Sequence, residues 1–194
     1  MLTRTYIFDN YVDAKAAVLA LEDAGIAPHF TTIMGRGDED IISLAEFAPG
    51  KRLSAVRSGG VLSALGLLVL PGIGLLAAGG WLPAGLMARG VTGEAIIETL
   101  TEAGHSSDDA QILAEALHRG ASLVGLRCDA GRVDRLEELL GDLGGVEPAL
   151  RGAAYAEGGW TRFDPEAVPY TSEEVYNERR RYVRKEGISY RHAA

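Results

Sequence analysis

The sequence predicts an α+β domain, because strand, helix and strand follow one another twice, before and after a long apolar insertion. β-forming residues predict strands at residues 4–8, 29–34, 121–128 and 146–155. Two such units most simply form a four-stranded antiparallel sheet with helices on one face, the ferredoxin-like arrangement. We therefore expect this fold over residues 1–156, interrupted by the insertion at about 58–91 and followed by a C-terminal arm at 157–194.

Capping residues and glycines bound the predicted helices, since Asn, Ser and Asp favour helix starts and glycine favours helix ends. Apolar residues recur at helical spacing between them. The predicted helix starts are Asn10, Ser107 and Asp129, and the predicted stops are Gly25, Gly104, Gly120 and Gly144. Pro148 falls within the predicted fourth strand. Because proline cannot donate a ladder hydrogen bond, it would lie near the start of that strand or in an edge strand.

The insertion is the most unusual part of the chain. Residues 58–88 contain no charged residue and no histidine, but they include 14 large apolar side chains. Full burial of such a side chain is worth about 1.5–3 kcal/mol, whereas a whole domain is stable by only about 5–15 kcal/mol. The segment must therefore be buried in a core, in a partner or in lipid.

Two prolines, Pro71 and Pro83, divide this segment into pieces. A helix of about 13 residues extends about 20 Å, which is short of the roughly 30 Å of a bilayer core. Both ends of the segment must also return to one sheet. We therefore expect a glycine-rich helical hairpin with its turn at Pro71 and Gly72.

Three locations remain open for the hairpin: between subunits of a homo-oligomer, at a membrane surface, or within the monomer. Small residues at four-residue spacing permit close helix contact, and the basic flanks Lys51, Arg52, Arg57 and Arg89 suit an anionic leaflet. The expected oligomer or membrane contacts are Leu65, Leu68, Leu70, Pro71, Gly72, Gly74, Gly80, Trp81, Ala84 and Ala88.

The arm carries a basic helix. Thr171 and Glu174 have capping-box spacing. The expected arm contacts are Arg179, Arg180, Arg181, Tyr182 and Arg184. They could bind acidic lipid or nucleic acid, but residues 1–156 carry a net charge of −8, which favours contact with the acidic body or with a neighbouring subunit. That charge also argues against general nucleic-acid binding.

Reactive clusters are not recognisable in the sequence. Gly72 and Gly74 fit a dinucleotide fingerprint with Glu94, but no helix with a solvent face follows them. Cys128 is the only cysteine, which excludes an intrachain disulfide and fits a cytoplasmic protein. The N-terminus has no signal-peptide pattern, and the acidic residues 38–40 fit a solvated turn. We expect no catalytic residue, cofactor or metal.

Three stretches carry a resemblance to a known family: TYIFDNYVDAKAAVLALEDAGI, PGIGLLAAGGWL and AGHSSDDAQILAEALHRGASLVGL. In them the chain resembles small bacterial general-stress or low-temperature-induced proteins with a glycine-rich apolar insertion. The resemblance implies a non-enzymatic, stress-associated cytoplasmic protein, and it brings no catalytic residues. The long Arg/Tyr-containing tail departs from the family pattern.

These observations predict a structural or interaction protein that self-assembles through its hairpin. One alternative is a peripheral membrane protein that inserts the hairpin into the cytoplasmic leaflet. The other is a small-ligand-sensing regulatory domain, because paired ferredoxin-like sheets can hold metabolites at a dimer seam.

Overall fold

The structure, a computed structural model, describes residues 1–36 and 60–185 and the side chains up to residue 182. The predicted acidic turn at 38–40 and the basic flank Lys51, Arg52 and Arg57 lie outside the described residues. The described elements are, in order, β1 (Leu2–Phe8), α1 (Tyr11–Asp23), β2 (Thr31–Gly35), β3 (Gly66–Leu70), β4 (Gly74–Gly80), α2 (Trp81–Arg89), α3 (Gly93–Glu102), α4 (Ser107–His118), β5 (Ser122–Cys128), α5 (Ala130–Asp142), α6 (Pro148–Glu157) and α7 (Ser172–Lys185). This mixture confirms the α+β class.

The strands form one antiparallel sheet in the order β1-β5-β2-β4-β3. Strand β5 lies between β1 and β2 and is antiparallel to both, with Leu123 opposite Ile7 and Val124 opposite Ile33. The first β–α–β unit is therefore split by β5, as two interleaved β–α–β units require.

The prediction of four strands is wrong, because the described sheet has five. The predicted fourth strand, 146–155, contributes a single bridge between Val146 and Ile7 and then becomes helix α6. Pro148 occupies the first turn of α6, where its missing N–H costs nothing, and alanine-rich residues follow it.

The prediction of a helical hairpin is also wrong. The apolar segment forms a short 3₁₀ helix (Val61–Ala64), the β-hairpin β3–β4 and then helix α2. The predicted turn at Pro71 and Gly72 is present, closed by a 3.1 Å hydrogen bond from the Ile73 N–H to the Leu70 carbonyl. Gly72 supplies the positive φ (77°) that the third position of this turn needs. The segment is an almost unbroken apolar run, which suits a strand and a buried helix alike, so periodicity alone could not separate strand from helix here.

Helices cover both faces of the sheet rather than the predicted single face. Alternating side chains of each strand enter two separate apolar cores. Tyr6, Phe8 and Ile33 face the core beneath α1 and α5. Ile7 and Met34 face the core shared with the other helices.

Side-chain caps fix several helix starts. The Asn10 side chain accepts a 2.8 Å hydrogen bond from the Asp13 N–H, as predicted. Ser106, rather than the predicted Ser107, caps α4 through the Asp109 N–H at 3.0 Å. Thr171 and Glu174 form the predicted capping box at the start of α7.

Candidate self-association surface

Strand β3 is the outermost strand of the sheet, and no described strand pairs with its outer edge. Its sequence, GLLVL, contains no charged residue and no proline. An open edge offers unpaired backbone N–H and C=O groups to another strand, and monomeric proteins usually protect such edges with lysine, proline or a bulge. The strand itself carries neither lysine nor proline.

Apolar side chains remain exposed around this edge. Val69 in β3 is 65% exposed and Met87 in the adjoining helix α2 is 72% exposed. Beside Met87, β3, β4 and α2 form a groove of about 340 Å³, whose described lining includes Leu68, Pro83 and Ala84 but no charged side chain. This edge and groove are here called the β3 surface.

Most of the apolar segment is buried inside the chain itself. Of its 14 large apolar side chains, eight are buried: Val61, Leu62, Leu65, Leu70, Ile73, Leu76, Leu82 and Leu86. Packing within the chain therefore buries most of the apolar side chains that the sequence predicts to be shielded from water. Of the other six, four lie in the β3 surface: Leu67, Leu68, Val69 and Met87.

The predicted contact residues divide between interior and surface. Leu65 and Leu70 are core residues, and Trp81 is half-buried with the Arg127 guanidinium 4.3 Å from its ring centroid. Pro71 and Ala88 are exposed. Leu68, Gly80 and Ala84 are brought together in the groove of the β3 surface. The remaining two, Gly72 and Gly74, lie near Pro165 and Pro169 of the C-terminal arm.

The tip of the hairpin is held by the arm. A methyl group added to Gly72 would collide with the Pro165 carbonyl oxygen, so the two backbone segments are in close contact there. The Nδ1 atom of His118 lies 2.7 Å from the Gly72 carbonyl oxygen. The His118 ring in turn makes edge contacts with Phe163 and Tyr170 of the arm. The turn of the hairpin is thus packed against protein.

Helix α7 docks on the body through buried charges. Arg119 donates 2.6 Å hydrogen bonds to Glu115 and to Glu178, and these two carboxylates are 7% and 6% exposed. Burial alone would lower the pKa of the Arg119 guanidinium, but the two carboxylates outweigh burial and raise it. Tyr182 donates a 2.6 Å hydrogen bond to Glu178 as well.

A second buried pair continues the same network. Arg151, whose side chain is 1% exposed, donates a 2.7 Å hydrogen bond to Asp9. Its guanidinium lies 4.0 Å from the centroid of the Tyr182 ring, a cation–π contact. Burial and the hydrogen bond to Glu178 raise the pKa of the Tyr182 hydroxyl.

Of the predicted arm contacts, Arg179 and Tyr182 reach the chain's own body, whereas Arg180 and Arg181 contact residues of α7 itself. Arg179 donates a 3.2 Å hydrogen bond to the Gly120 carbonyl, and Arg181 donates one of 3.2 Å to Glu178. Tyr182 is buried in the network, whereas Arg180 is exposed near Tyr176. The side chain of Arg184 lies outside the described residues. The i,i+4 spacing of Glu115 and Arg119 was visible in the sequence, but nothing in it linked either residue to Glu178.

Nothing in the sequence indicated one polar cluster that the structure contains. Nε2 of His105 lies 2.9 Å from the Thr5 hydroxyl, beside Asp109 in a cavity of about 360 Å³. Burial lowers the pKa of His105. Because Thr5 lies in a strand and His105 in the loop before α4, no sequence spacing signalled the pair.

The reactive candidates from the sequence do not assemble. Gly72 lies in the turn between β3 and β4, and Gly74 is the first residue of β4, so no helix N-terminus follows them. Cys128 is buried, and burial raises the pKa of its thiol. No group of three or more His, Cys, Asp or Glu residues is placed to hold a metal ion in the described part of the chain.

Comparisons and membrane features give no further assignment. No helix in residues 1–36 and 60–185 combines the length and hydrophobicity that crossing a membrane requires. The comparisons with known proteins found no matching family, no similar curated protein and no similar solved structure.

Proposed function

We propose that this protein is a structural module that self-associates through the β3 surface. The observation that carries the proposal is the uncharged outer edge of β3, which lacks both a described partner strand and a protecting charge. The exposed Val69 on this strand is the side chain that a second strand would cover.

A second copy of the chain fits this edge better than another partner does. Two antiparallel copies of one strand are self-complementary about a two-fold axis, and an edge without charge offers nothing to select a charged peptide. The opposite edge strand, β1, is partly covered by the bridge to Val146. Pairing of two copies through β3 would give a dimer in which the described strands form one continuous ten-stranded sheet.

The packing of the hairpin favours a protein partner over lipid. Its turn lies against Pro165 and His118 of the same chain. A hairpin that enters a leaflet would have to leave these contacts. The stress-associated and non-enzymatic character remains part of the proposal and rests on the sequence resemblance.

We also infer that the sheet is an extended ferredoxin-like arrangement. The strand order supports this, since the Val146 bridge lies outside β1 where a fourth ferredoxin-like strand would lie. The β3–β4 hairpin would then be an addition to the opposite edge.

The mass of the particle in detergent-free buffer tests the self-association. By sedimentation equilibrium we expect twice the chain mass of 20.6 kDa. Val69→Lys should shift the protein to monomer, because each dimer then places two charges at the paired edge. If each lysine charge at the interface costs about 1.4 kcal/mol of dimerisation free energy, two of them lower the association constant about 100-fold.

The matched control is Val12→Lys, because Val12 is also an exposed valine but lies on α1. We expect this variant to remain dimeric. A wild-type monomer at every accessible concentration, or a Val69→Lys protein that still dimerises normally, would remove the proposal. Flotation of the wild type with anionic liposomes would instead support the membrane alternative.

A further inference from the structure

A cavity of about 570 Å³ opens between α6 and α7, beside the buried ion pairs that dock the arm. Its volume falls within the range of small-molecule sites. Its polar lining consists chiefly of Arg119, Tyr155, Asn177, Arg180, Arg181 and Tyr182. Both the body and the arm contribute walls, so the cavity has this shape only while α7 is docked.

The inner end of the cavity is rigid. Arg119 is fixed there by Glu115 and Glu178, and its guanidinium lies 4.3 Å from the centroid of the Tyr155 ring. Burial raises the pKa of Tyr155 well above its usual value, so its hydroxyl stays neutral. The two hydrogen bonds hold Arg119 in place as part of the cavity wall, and the two carboxylates more than offset its positive charge.

The rim of the cavity carries the positive charge available to a ligand. Arg180 is exposed and forms no ion pair with any carboxylate of the described residues. Arg181 is 70% exposed and uses one N–H toward Glu178 at 3.2 Å, which leaves its other N–H groups for a ligand. Among the described residues, the lining contains a single acidic side chain, Glu157. Guanidinium groups bind phosphate oxygens through paired hydrogen bonds.

We propose that this cavity binds a small phosphate-bearing metabolite. Its phosphate contacts Arg180 and Arg181, with the Asn177 amide on the same helix as a further donor. The rest of the molecule lies against the Tyr155 and Tyr182 rings. Because a ligand held by both walls binds the docked state alone, its binding stabilises the docked arm. This proposal does not depend on self-association.

The test uses calorimetric titration of the full chain with ADP, with inorganic phosphate, with adenosine and with phosphatidylglycerol vesicles. We expect ADP to bind and to increase hydrogen-exchange protection of helix α7. Adenosine, which has no phosphate, should do neither. Arg180→Gln should weaken ADP binding about tenfold or more, as loss of one charge-assisted hydrogen bond predicts.

Arg180 is exposed, lies near Tyr176 and forms no ion pair within the described chain, so its replacement leaves the docking network intact. The matched control is Arg162→Gln, an exposed arginine outside the cavity lining, which should bind ADP as the wild type does. Arg181→Gln should also weaken binding, but it removes a contact with Glu178 as well. The proposal is overturned if neither ADP nor phosphate binds at millimolar concentration, if Arg180→Gln binds ADP normally, or if only phosphatidylglycerol vesicles bind.

Discussion

The β-hairpin and the C-terminal helix are both held on the body of the protein, but by opposite kinds of contact. The hairpin is held by apolar side chains such as Leu70, Ile73 and Leu76, all fully buried. Helix α7 is held by Glu178, whose carboxylate lies between Arg119 and Tyr182. Apolar burial is insensitive to pH and tolerates small rearrangements, whereas a buried charge needs every one of its partners.

The largest expected effect comes from breaking a buried charge pair. Arg151→Ala leaves Asp9 without its arginine and removes the cation–π contact with Tyr182. Loss of one partner of a buried pair costs about 3–5 kcal/mol. Urea denaturation should show this loss in the free energy of unfolding.

The control for this prediction is an ion pair at the surface. Arg89 pairs with Glu102, whose side chain is 63% exposed, and exposed pairs contribute about 0–1 kcal/mol. Arg89→Ala should therefore change the free energy of unfolding by no more than that amount. Equal losses from the two variants would contradict the distinction drawn between buried and exposed charge.

Local sequence signals predicted the parts of the fold that local chemistry determines. The Asn10 cap and the capping box of Thr171 and Glu174 form as expected, because each needs residues only three positions apart. The turn at Pro71 and Gly72 was also predictable, since glycine supplies its positive φ. The strands on either side of it were not, because an unbroken apolar run suits a buried strand and a buried helix equally.

Long-range contacts explain what the sequence could not predict of the candidate sites. The β3 surface depends on which strand lies outermost, and strand order is a property of the whole sheet. The network of Arg119 and Glu178 joins residues 59 positions apart. A basic helix was expected to meet acidic surface, but no periodicity indicated that Glu178 of that helix is itself buried.

An intermediate effect is expected where the hairpin meets the arm. Gly72→Ala places a side chain at a φ of +77°, which costs about 1–2 kcal/mol, and its methyl group would collide with the Pro165 carbonyl. Gly90→Ala is the matched control, because Gly90 has a φ of +91° and no atom within 4 Å of the added methyl. The variant at residue 72 should lose more stability in urea denaturation and should also lose exchange protection in residues 158–171. Identical losses would show that the arm does not rest on the hairpin.

The smallest expected effect is a pH response confined to the arm. Burial alone would raise the pKa of the Glu178 carboxyl, but the hydrogen bond from Tyr182 and the Arg119 guanidinium outweigh burial and hold it below its usual 4.5. A carboxyl whose folded pKa is depressed stabilises the folded state above its unfolded pKa, and this contribution is lost as the pH falls through the folded value. The arm should therefore loosen in acid.

The Tyr182 hydroxyl should limit the stability of the arm at high pH. Its folded pKa lies above the usual 10.0, so its contribution is present below that value and is lost as the pH rises through the folded pKa. Exchange protection of α7, corrected for intrinsic rates, should be level near neutral pH and fall toward both extremes, while protection of β4 stays constant.

Glu178→Gln separates these two limits, because the amide oxygen still accepts from Tyr182 but cannot titrate. In this variant the exchange protection of α7 should be weaker at pH 7. In acid it should no longer change through titration of residue 178. Glu173→Gln is the matched control, since Glu173 is an exposed carboxylate on the same helix and should leave the wild-type acid response unchanged. If β4 lost protection at the same pH as α7, the hairpin and the arm would share one means of attachment after all.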